Sequence, residues 1–261
     1  MRILCLGDVV GRPGRRALQQ ELGNLRQRQR VDLVIANVEN AAGGFGLTLP
    51  VAEELRAAGV DCLTSGNHIW DKKEVYEFID QADWLLRPAN YPPGVPGRGS
   101  TVLTTPGGIE VGVLNLAGRV FMENLDCPFR AAQAQVEALR AKTPIIVVDF
   151  HAEATAEKIA LGWFLDGQVS AVVGTHTHVP TADARILPGG TAYITDLGMT
   201  GPVQAVLGVK KEPIIQRFLT QLPVRFEVAG SPVEIQGCLV TVERKSGRAL
   251  AIETVKLEVG S

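Results

Sequence analysis

Short apolar runs alternate with amphipathic segments over the first two-thirds of this chain, and no other feature restricts its fold as strongly. Buried strands are predicted at the apolar runs, which span residues 3–7, 33–38, 61–64, 145–150 and 171–174. Helical periodicity predicts helices over residues 15–30, 50–58, 130–142 and 156–165, and a further helix around Val75, Phe78 and Ile79. Strands that alternate with helices form βαβ units, so we expect an α/β fold with a largely parallel sheet.

The last third of the chain has the pattern of an antiparallel meander. Strands are predicted at residues 193–196, 224–228, 233–242 and 249–259, with a hairpin turn at 246–248. These strands are expected to complete a second sheet that packs on the first. Residues 88–100 and 198–202 are predicted to be loops. Because no linker-like composition divides the sequence, we expect a single domain over residues 1–261.

Composition and charge exclude several classes of protein. The net charge of −2 gives no basic footprint for long DNA, and the arginines between Arg12 and Arg30 are interpreted as a solvated helix face. The four cysteines form no C-x-x-C motif and are interpreted as free thiols in a reducing compartment. No apolar run is long enough for a signal peptide or a membrane span, so we expect a cytoplasmic protein.

The predicted strands end in residues that bind metals. All four histidines lie in polar loops after apolar runs, and the loops after the first three strands also hold acidic and amide side chains. The seven candidate ligands are Asp8, Glu39, Asn40, Asn67, His151, His176 and His178. Ligands gather at the carboxyl ends of strands in open α/β sheets, so these side chains are expected to converge. Each alone has a simpler interpretation as loop chemistry, and only the joint pattern indicates a metal site.

Seven ligands are too many for one tetrahedral zinc ion and fit two cations. His176 and His178 are two apart, so in an extended segment both would point to the same side. Glu39 is the best candidate to bridge the two ions. With only Asp8 and Glu39 ionised, two divalent cations would keep an excess of positive charge, which favours an anionic substrate such as a phosphate ester.

The ordered series Gly7-Asp8, Glu39-Asn40, Gly66-Asn67-His68, His151 and Gly174-Thr175-His176-Thr177-His178 resembles the calcineurin-like metallophosphoesterase superfamily. Within it, the chain looks closest to the small bacterial family of 2′,3′-cyclic-nucleotide phosphodiesterases. Segments such as Asn67-His68-Ile69-Trp70-Asp71 and the run from Asp196 to Pro202 carry that likeness. The resemblance implies a four-layer α/β/β/α sandwich of two mixed sheets with helices outside.

The resemblance also implies roles for the ligands. One metal would take Asp8, Glu39, Asn40 and His178, and the other would take Glu39, Asn67, His151 and His176. A hydroxide between the ions would attack phosphorus in line with the leaving oxygen, and cleavage of the 2′ bond would leave a 3′-phosphate. His68 would protonate the leaving oxygen or stabilise transition-state charge. Asp71 is expected to cap a following helix rather than to orient His68.

Two departures from the wider superfamily concern the metals. The first motif, Asp8-Val9-Val10, lacks the usual histidine, and Glu39 replaces the usual bridging aspartate; Asn40 is available for the vacant position. The ligand set accepts iron, manganese or zinc, and the closest family favours iron or manganese.

Several alternatives stay open. They are a broader phosphomonoesterase or phosphodiesterase, an amidohydrolase-like metallohydrolase, and a regulatory partner in RNA processing with a mainly structural metal site. RNA fragments and an RNA-processing partner therefore stay among the candidate partners, beside the 2′,3′-cyclic nucleotide. A homo-oligomer is compatible with the resemblance.

Overall fold

The computed structural model describes residues 1–230 and 232–260, which fold into two mixed β-sheets with helices on their outer faces. The helices are α1 (Gly11–Gln29), α2 (Leu49–Ala57), a 3₁₀ helix (Lys73–Glu77), α3 (Pro128–Arg140), α4 (Thr155–Phe164) and α5 (Lys211–Thr220). The strands of the first half are β1 (Arg2–Leu6), β2 (Asp8–Val9), β3 (Leu33–Asn37), β4 (Cys62–Thr64), β5 (Ser100–Thr104) and β6 (Glu110–Ala117). The others are β7 (Ile146–His151), β8 (Ala171–Thr175), β9 (Arg185–Ile186), β10 (Ala192–Ile194), β11 (Met199–Pro202), β12 (Val233–Val242) and β13 (Ala249–Val259).

Each sheet has a parallel centre and antiparallel additions. The first sheet has the order β2-β11-β12-β1-β3-β4, and β13 also pairs with β12. Its strands β1, β3 and β4 are parallel, whereas β12 runs antiparallel to β1. The second sheet has the order β5-β6-β7-β8-β10-β9, with β6, β7, β8 and β10 parallel. The predicted α/β class with two mixed sheets is confirmed.

Alternate residues of each central strand face opposite apolar layers. On β1, Ile3 and Cys5 pack between the two sheets, against Val113 and Val147 of the second sheet. Leu4 and Leu6 face the other way and pack under α1 and α2. A third apolar layer lies between the second sheet and the helices α3 and α4. The layer order is therefore helix, sheet, sheet, helix, as the predicted four-layer sandwich requires.

The last third of the chain differs from its prediction. Its strands do not all complete one second sheet: β12 and β13 extend the first sheet, and β10 joins the second in parallel with β8. Residues 224–228, predicted as a strand, contribute only an isolated bridge between Val209 and Val228. Residues 198–202, predicted as a loop, include β11, which pairs with β2 and β12. Strand partners are chosen by packing between distant segments, which local patterns do not reveal.

Several elements have no counterpart in the prediction, and one helix differs in type. β5 and β6 form an antiparallel pair at the edge of the second sheet, and the predicted long loop ends where β5 begins. The helix α5 buries Ile214, although Ile214, Ile215, Phe218 and Leu219 recur at helical spacing. The segment around Val75 is a 3₁₀ helix rather than an α-helix. Among the residues that the structure describes, none of the helices has the length and apolar character needed to cross a membrane.

Candidate metal centre

Strands of both sheets end at one shared edge, and their carboxyl ends supply the predicted ligands. Asp8 follows β1, Glu39 and Asn40 follow β3, and Asn67 follows β4, all from the first sheet. The second sheet supplies His151 as the last residue of β7, and the loop after β8 supplies His176 and His178. The packed sheets thus place residues that are up to 170 positions apart in sequence (8 to 178) around one cleft.

The side chains of Glu39, Asn67, His151 and His176 converge on one point. The Nε2 atom of His151 lies 3.0 Å from Oε1 of Glu39 and 3.1 Å from Oδ1 of Asn67. The same nitrogen lies 3.0 Å from Nδ1 of His176. One imidazole nitrogen cannot satisfy three such partners through a single hydrogen. Donor atoms about 3 Å apart are what ligands about 2.0–2.2 Å from a shared ion require.

Hydrogen bonds behind His151 fix its orientation. The hydroxyl of Thr175 donates to Oδ1 of Asp149 at 2.7 Å, so its hydrogen is already used. The Nδ1 atom of His151 lies 3.0 Å from the Thr175 oxygen, and we therefore assign the ring proton to Nδ1. Nε2, which faces the cleft, is then the nitrogen that can bind a metal once its proton has left. Metal-binding histidines commonly have such a partner behind the ring.

Asp8, Asn40 and His178 form a second group beside the first. Among the described residues, three buried side-chain oxygens have no hydrogen-bond partner, and two of them are Oδ1 of Asp8 and Oδ1 of Asn40. The Nε2 atom of His178 lies 3.7 Å from the same Asp8 oxygen, which is too long for a hydrogen bond. Leaving a buried acceptor without a partner is costly, and a cation between these atoms would satisfy both oxygens.

The charges of the cluster also call for a cation. Burial alone would raise the pKa of Glu39, but the charge of His151 and its hydrogen bond lower that pKa to about 2. Burial lowers the pKa of His151, yet the charges of Glu39 and Asp8 raise it to about 9. Burial and the charge of His151 lower the pKa of His176 to about 3. Burial raises the pKa of Asp8, so the ionised Glu39 is the group that draws positive charge into the cleft, and a divalent cation would supply that charge.

The residues present therefore fit a metal centre of two adjoining groups. Glu39, His151 and His176 meet the distance requirement for a shared ion in the part of the chain described. The unpartnered oxygens of Asp8 and Asn40 belong to the second group. The assignment of each side chain to a particular ion stays a prediction.

His68 lies at the mouth of the cleft and is placed differently from the other histidines. Its backbone N–H donates to Oε2 of Glu39 at 3.0 Å, which connects the loop to the seven candidate ligands, hereafter the ligand cluster. Its ring nitrogen Nδ1 lies 2.8 Å from Oδ2 of Asp71, so Nε2 is left free. The expectation that Asp71 caps a helix is wrong, because the 3₁₀ helix follows Lys72 and has no side-chain cap. The carboxylate of Asp71 orients His68 instead.

The loop that carries His176 and His178 is held by a buried ion pair that the sequence did not reveal. Both histidines have left-handed backbones, with φ of 103° and 62°, so the expected extended segment is wrong. Such conformations are costly for residues other than glycine and need support from their surroundings. Lys158 Nζ donates to Oδ2 of Asp196 at 2.6 Å and to the carbonyl of Thr175 at 2.8 Å. Asp196 in turn accepts from the N–H of Thr177.

Gly66 gives the ring of His151 its space, which yields a prediction. A Cβ at residue 66 would lie 2.0 Å from Cδ2 of His151, so Gly66→Ala must displace this ring. We expect the variant to lose metal and to lower kcat at least about tenfold, as disturbed ligand support does. Metal content and turnover of the purified protein measure both effects. Gly23→Ala on α1 is the control, since nothing lies within 4 Å of that added methyl; wild-type metal content in Gly66→Ala would contradict the role of the ring.

Comparisons with known proteins cover nearly the whole chain. The profile of the family described as "YmdB-like protein" matches residues 4–255. A relative from Bacillus subtilis (strain 168), named 2′,3′-cyclic-nucleotide 2′-phosphodiesterase, is 50% identical over 255 residues, which are 98% of this chain and 96% of the relative. A hypothetical protein from Thermus thermophilus superimposes with a TM-score of 0.92 at 46% identity, over 99% of each chain. A novel phosphatase from Mycoplasma pneumoniae gives a TM-score of 0.92 at 34% identity, over 99% of this chain and 93% of that one.

Proposed function

The chain belongs to the YmdB-like family of the metallophosphoesterase superfamily, and we propose that it is a metal-dependent phosphodiesterase that converts 2′,3′-cyclic nucleotides to 3′-phosphonucleotides. The observation that carries the proposal is the convergence of Glu39, Asn67 and His176 on Nε2 of His151. The relative from Bacillus subtilis bears the name of this activity and shares half of its residues with this chain.

The donor set decides which chemistry the cleft supports. It consists of carboxylate, amide and imidazole groups without a thiolate, a set that suits iron, manganese or zinc. We propose two ions, the first held by Asp8, Glu39, Asn40 and His178, and the second by Glu39, Asn67, His151 and His176. When bound, such ions lower the pKa of water to give a nucleophile at neutral pH and neutralise the charge of a phosphoryl group. Iron or manganese is the preferred metal.

The protein's own side chains orient the general acid and donate a proton to the leaving oxygen. Asp71 holds the Nδ1 side of the His68 ring, so Nε2 points to where a leaving group can sit. A protonated His68 would donate its Nε2 hydrogen to the ribose 2′ oxygen as the bond from that oxygen to phosphorus breaks. The bond between the His68 N–H and Glu39 couples the position of this acid to the ligand cluster. Glu39 thus connects the two halves of the site.

The proposal is tested by measuring the hydrolysis of three phosphoesters with one protein preparation whose metal content has been determined. We expect turnover of 2′,3′-cyclic AMP to adenosine 3′-phosphate, with much lower rates on 3′,5′-cyclic AMP and on a phosphomonoester. Identification of the product by chromatography shows which ester bond breaks. Formation of the 2′-phosphate would reverse the proposed bond order. A protein that holds two metals but hydrolyses only the phosphomonoester would overturn the substrate and support the broader phosphatase.

Other expectations from the sequence stay predictions. They concern the cytoplasmic location, the single domain, a homo-oligomer and a partner in RNA processing.

A further inference from the structure

We propose that the apolar side chains of the cleft form a nucleobase subsite, in which the rings of Phe45 and Phe226 hold the base of the substrate. This inference rests on the proposed function and adds the part of the substrate that the site recognises. The relatives' names give a substrate class, and they assign no residue to the base.

A cavity of about 420 Å³ adjoins the ligand cluster, a volume within the usual range for small-molecule sites. Its lining includes polar side chains of the candidate site, namely Glu39, Asn40, His68, His176 and His178. The same lining includes apolar and aromatic side chains, among them Phe45, Leu207, Val209, Ile214 and Phe226. A phosphate bound at the candidate ligands would therefore leave the rest of a nucleotide near apolar and aromatic side chains. A simple phosphomonoester would leave those side chains unused.

Phe45 connects these apolar side chains to His68. Its ring packs edge-on against that of His68, with centroids 5.0 Å apart. The loop around it reaches this position through glycines with positive φ, at Gly43, Gly44 and Gly46. Phe45 is 39% exposed although it lies beside buried ligands. This glycine-containing turn holds a large ring open to the cleft, which favours contact with a ligand over core packing.

Phe226 lines the same cavity and belongs to the segment after α5. The segment after it touches the Phe45 loop, since a Cβ at Gly44 would lie 3.1 Å from the Val228 side chain. Backbone bonds from Lys210 to Glu227 and from Ala229 to Gly208 fasten this segment to the loop before α5. The two aromatic rings therefore belong to one wall rather than to separate surfaces.

Arg217 of α5 adds a cationic group to the wall. The guanidinium of Arg217 lies over the ring of Phe226, with its carbon 5.3 Å from the ring centroid. Aromatic rings and arginine planes stack on bases of any sequence because every base has a flat π face. An apolar wall that stacks without base-edge hydrogen bonds would accept all four bases. We therefore expect binding of the base with little preference among bases.

Substitution of Phe226 tests the subsite with two substrates that share the scissile bond. One is 2′,3′-cyclic AMP, and the other is methyl riboside 2′,3′-cyclic phosphate, which has no base. In Phe226→Leu we expect kcat/KM on cyclic AMP to fall about tenfold, as the loss of one stacked base does, while the base-free ester is unaffected. Phe226→Trp should retain the wild-type value on both. Phe129→Leu is the matched control, because Phe129 is also half-buried but packs against Phe164 on the far helices.

Binding of the product separates this inference from the proposed function. The metal-loaded wild type should bind adenosine 3′-phosphate about tenfold more tightly than ribose 3-phosphate, and Phe226→Leu should remove that difference. If neither ester is hydrolysed but the binding difference depends on Phe226, the subsite stands and the proposed reaction fails. If both esters are hydrolysed and Phe226→Leu lowers both rates equally or neither, the subsite is wrong. Equal binding of the two products by the wild type would also overturn it.

Discussion

Glu39→Ala is expected to strip the protein of metal and to lower kcat on 2′,3′-cyclic AMP by more than about a hundredfold, since changes behind a ligand already cost about 10–100-fold. Glu39 contacts both His151 and the loop that carries His68. Its Oε1 lies 3.0 Å from His151, and its Oε2 accepts the N–H of His68. Removal therefore leaves His151 without its charge partner and frees the loop that carries the proposed acid.

Metal content by mass spectrometry and steady-state kinetics on the same sample measure this prediction. Glu234→Ala is the matched control, because Glu234 is a buried carboxylate outside the ligand cluster that pairs with Lys256. It should keep its metals and its turnover. Two bound metals and full turnover in Glu39→Ala would reject Glu39 as the bridge. Loss of one metal only would assign Glu39 to that ion alone and would reject it as a bridge.

The convergence of the candidate ligands was predictable from sequence because their positions depend on local patterns. Each follows a short apolar run, and runs such as 33–38 and 145–150 are buried strands in the structure. Parallel strands in one sheet end at the same edge, so the residues after them meet without further information. The prediction needed only the strand ends, and small errors in the element bounds did not affect it.

The supporting contacts were not predictable for the same reason. Lys158 lies on a helix and Asp196 follows a strand 38 residues later. No local sequence pattern in either segment predicts that they pair. Likewise, His176 and His178 take left-handed backbones that no turn residue signals. Phe226 lies in a predicted strand that does not form, so the aromatic wall of the cleft becomes visible only in three dimensions. Contacts between distant segments decide all three features.

His68→Ala is expected to keep both metals and still lose about 10²–10⁴-fold in kcat on 2′,3′-cyclic AMP, the range typical of a missing general acid. Metal retention follows from the geometry. The bond from residue 68 to Glu39 uses the backbone N–H, which alanine keeps. The imidazole itself contacts Asp71 and Phe45 rather than the ligand cluster. Asp71→Asn should show a smaller loss, because it misorients the ring but leaves it in place.

The leaving group separates the two roles open to His68. A nitrophenolate leaves readily without a proton, so bis(p-nitrophenyl) phosphate should restore most of the rate of His68→Ala if the ring acts as an acid. If the ring instead stabilises charge on phosphorus, both substrates should lose rate equally. Wild-type rates on both substrates would remove His68 from the mechanism. Because the metals are expected to stay bound in each of these cases, the comparison isolates the one histidine outside the proposed ligand set.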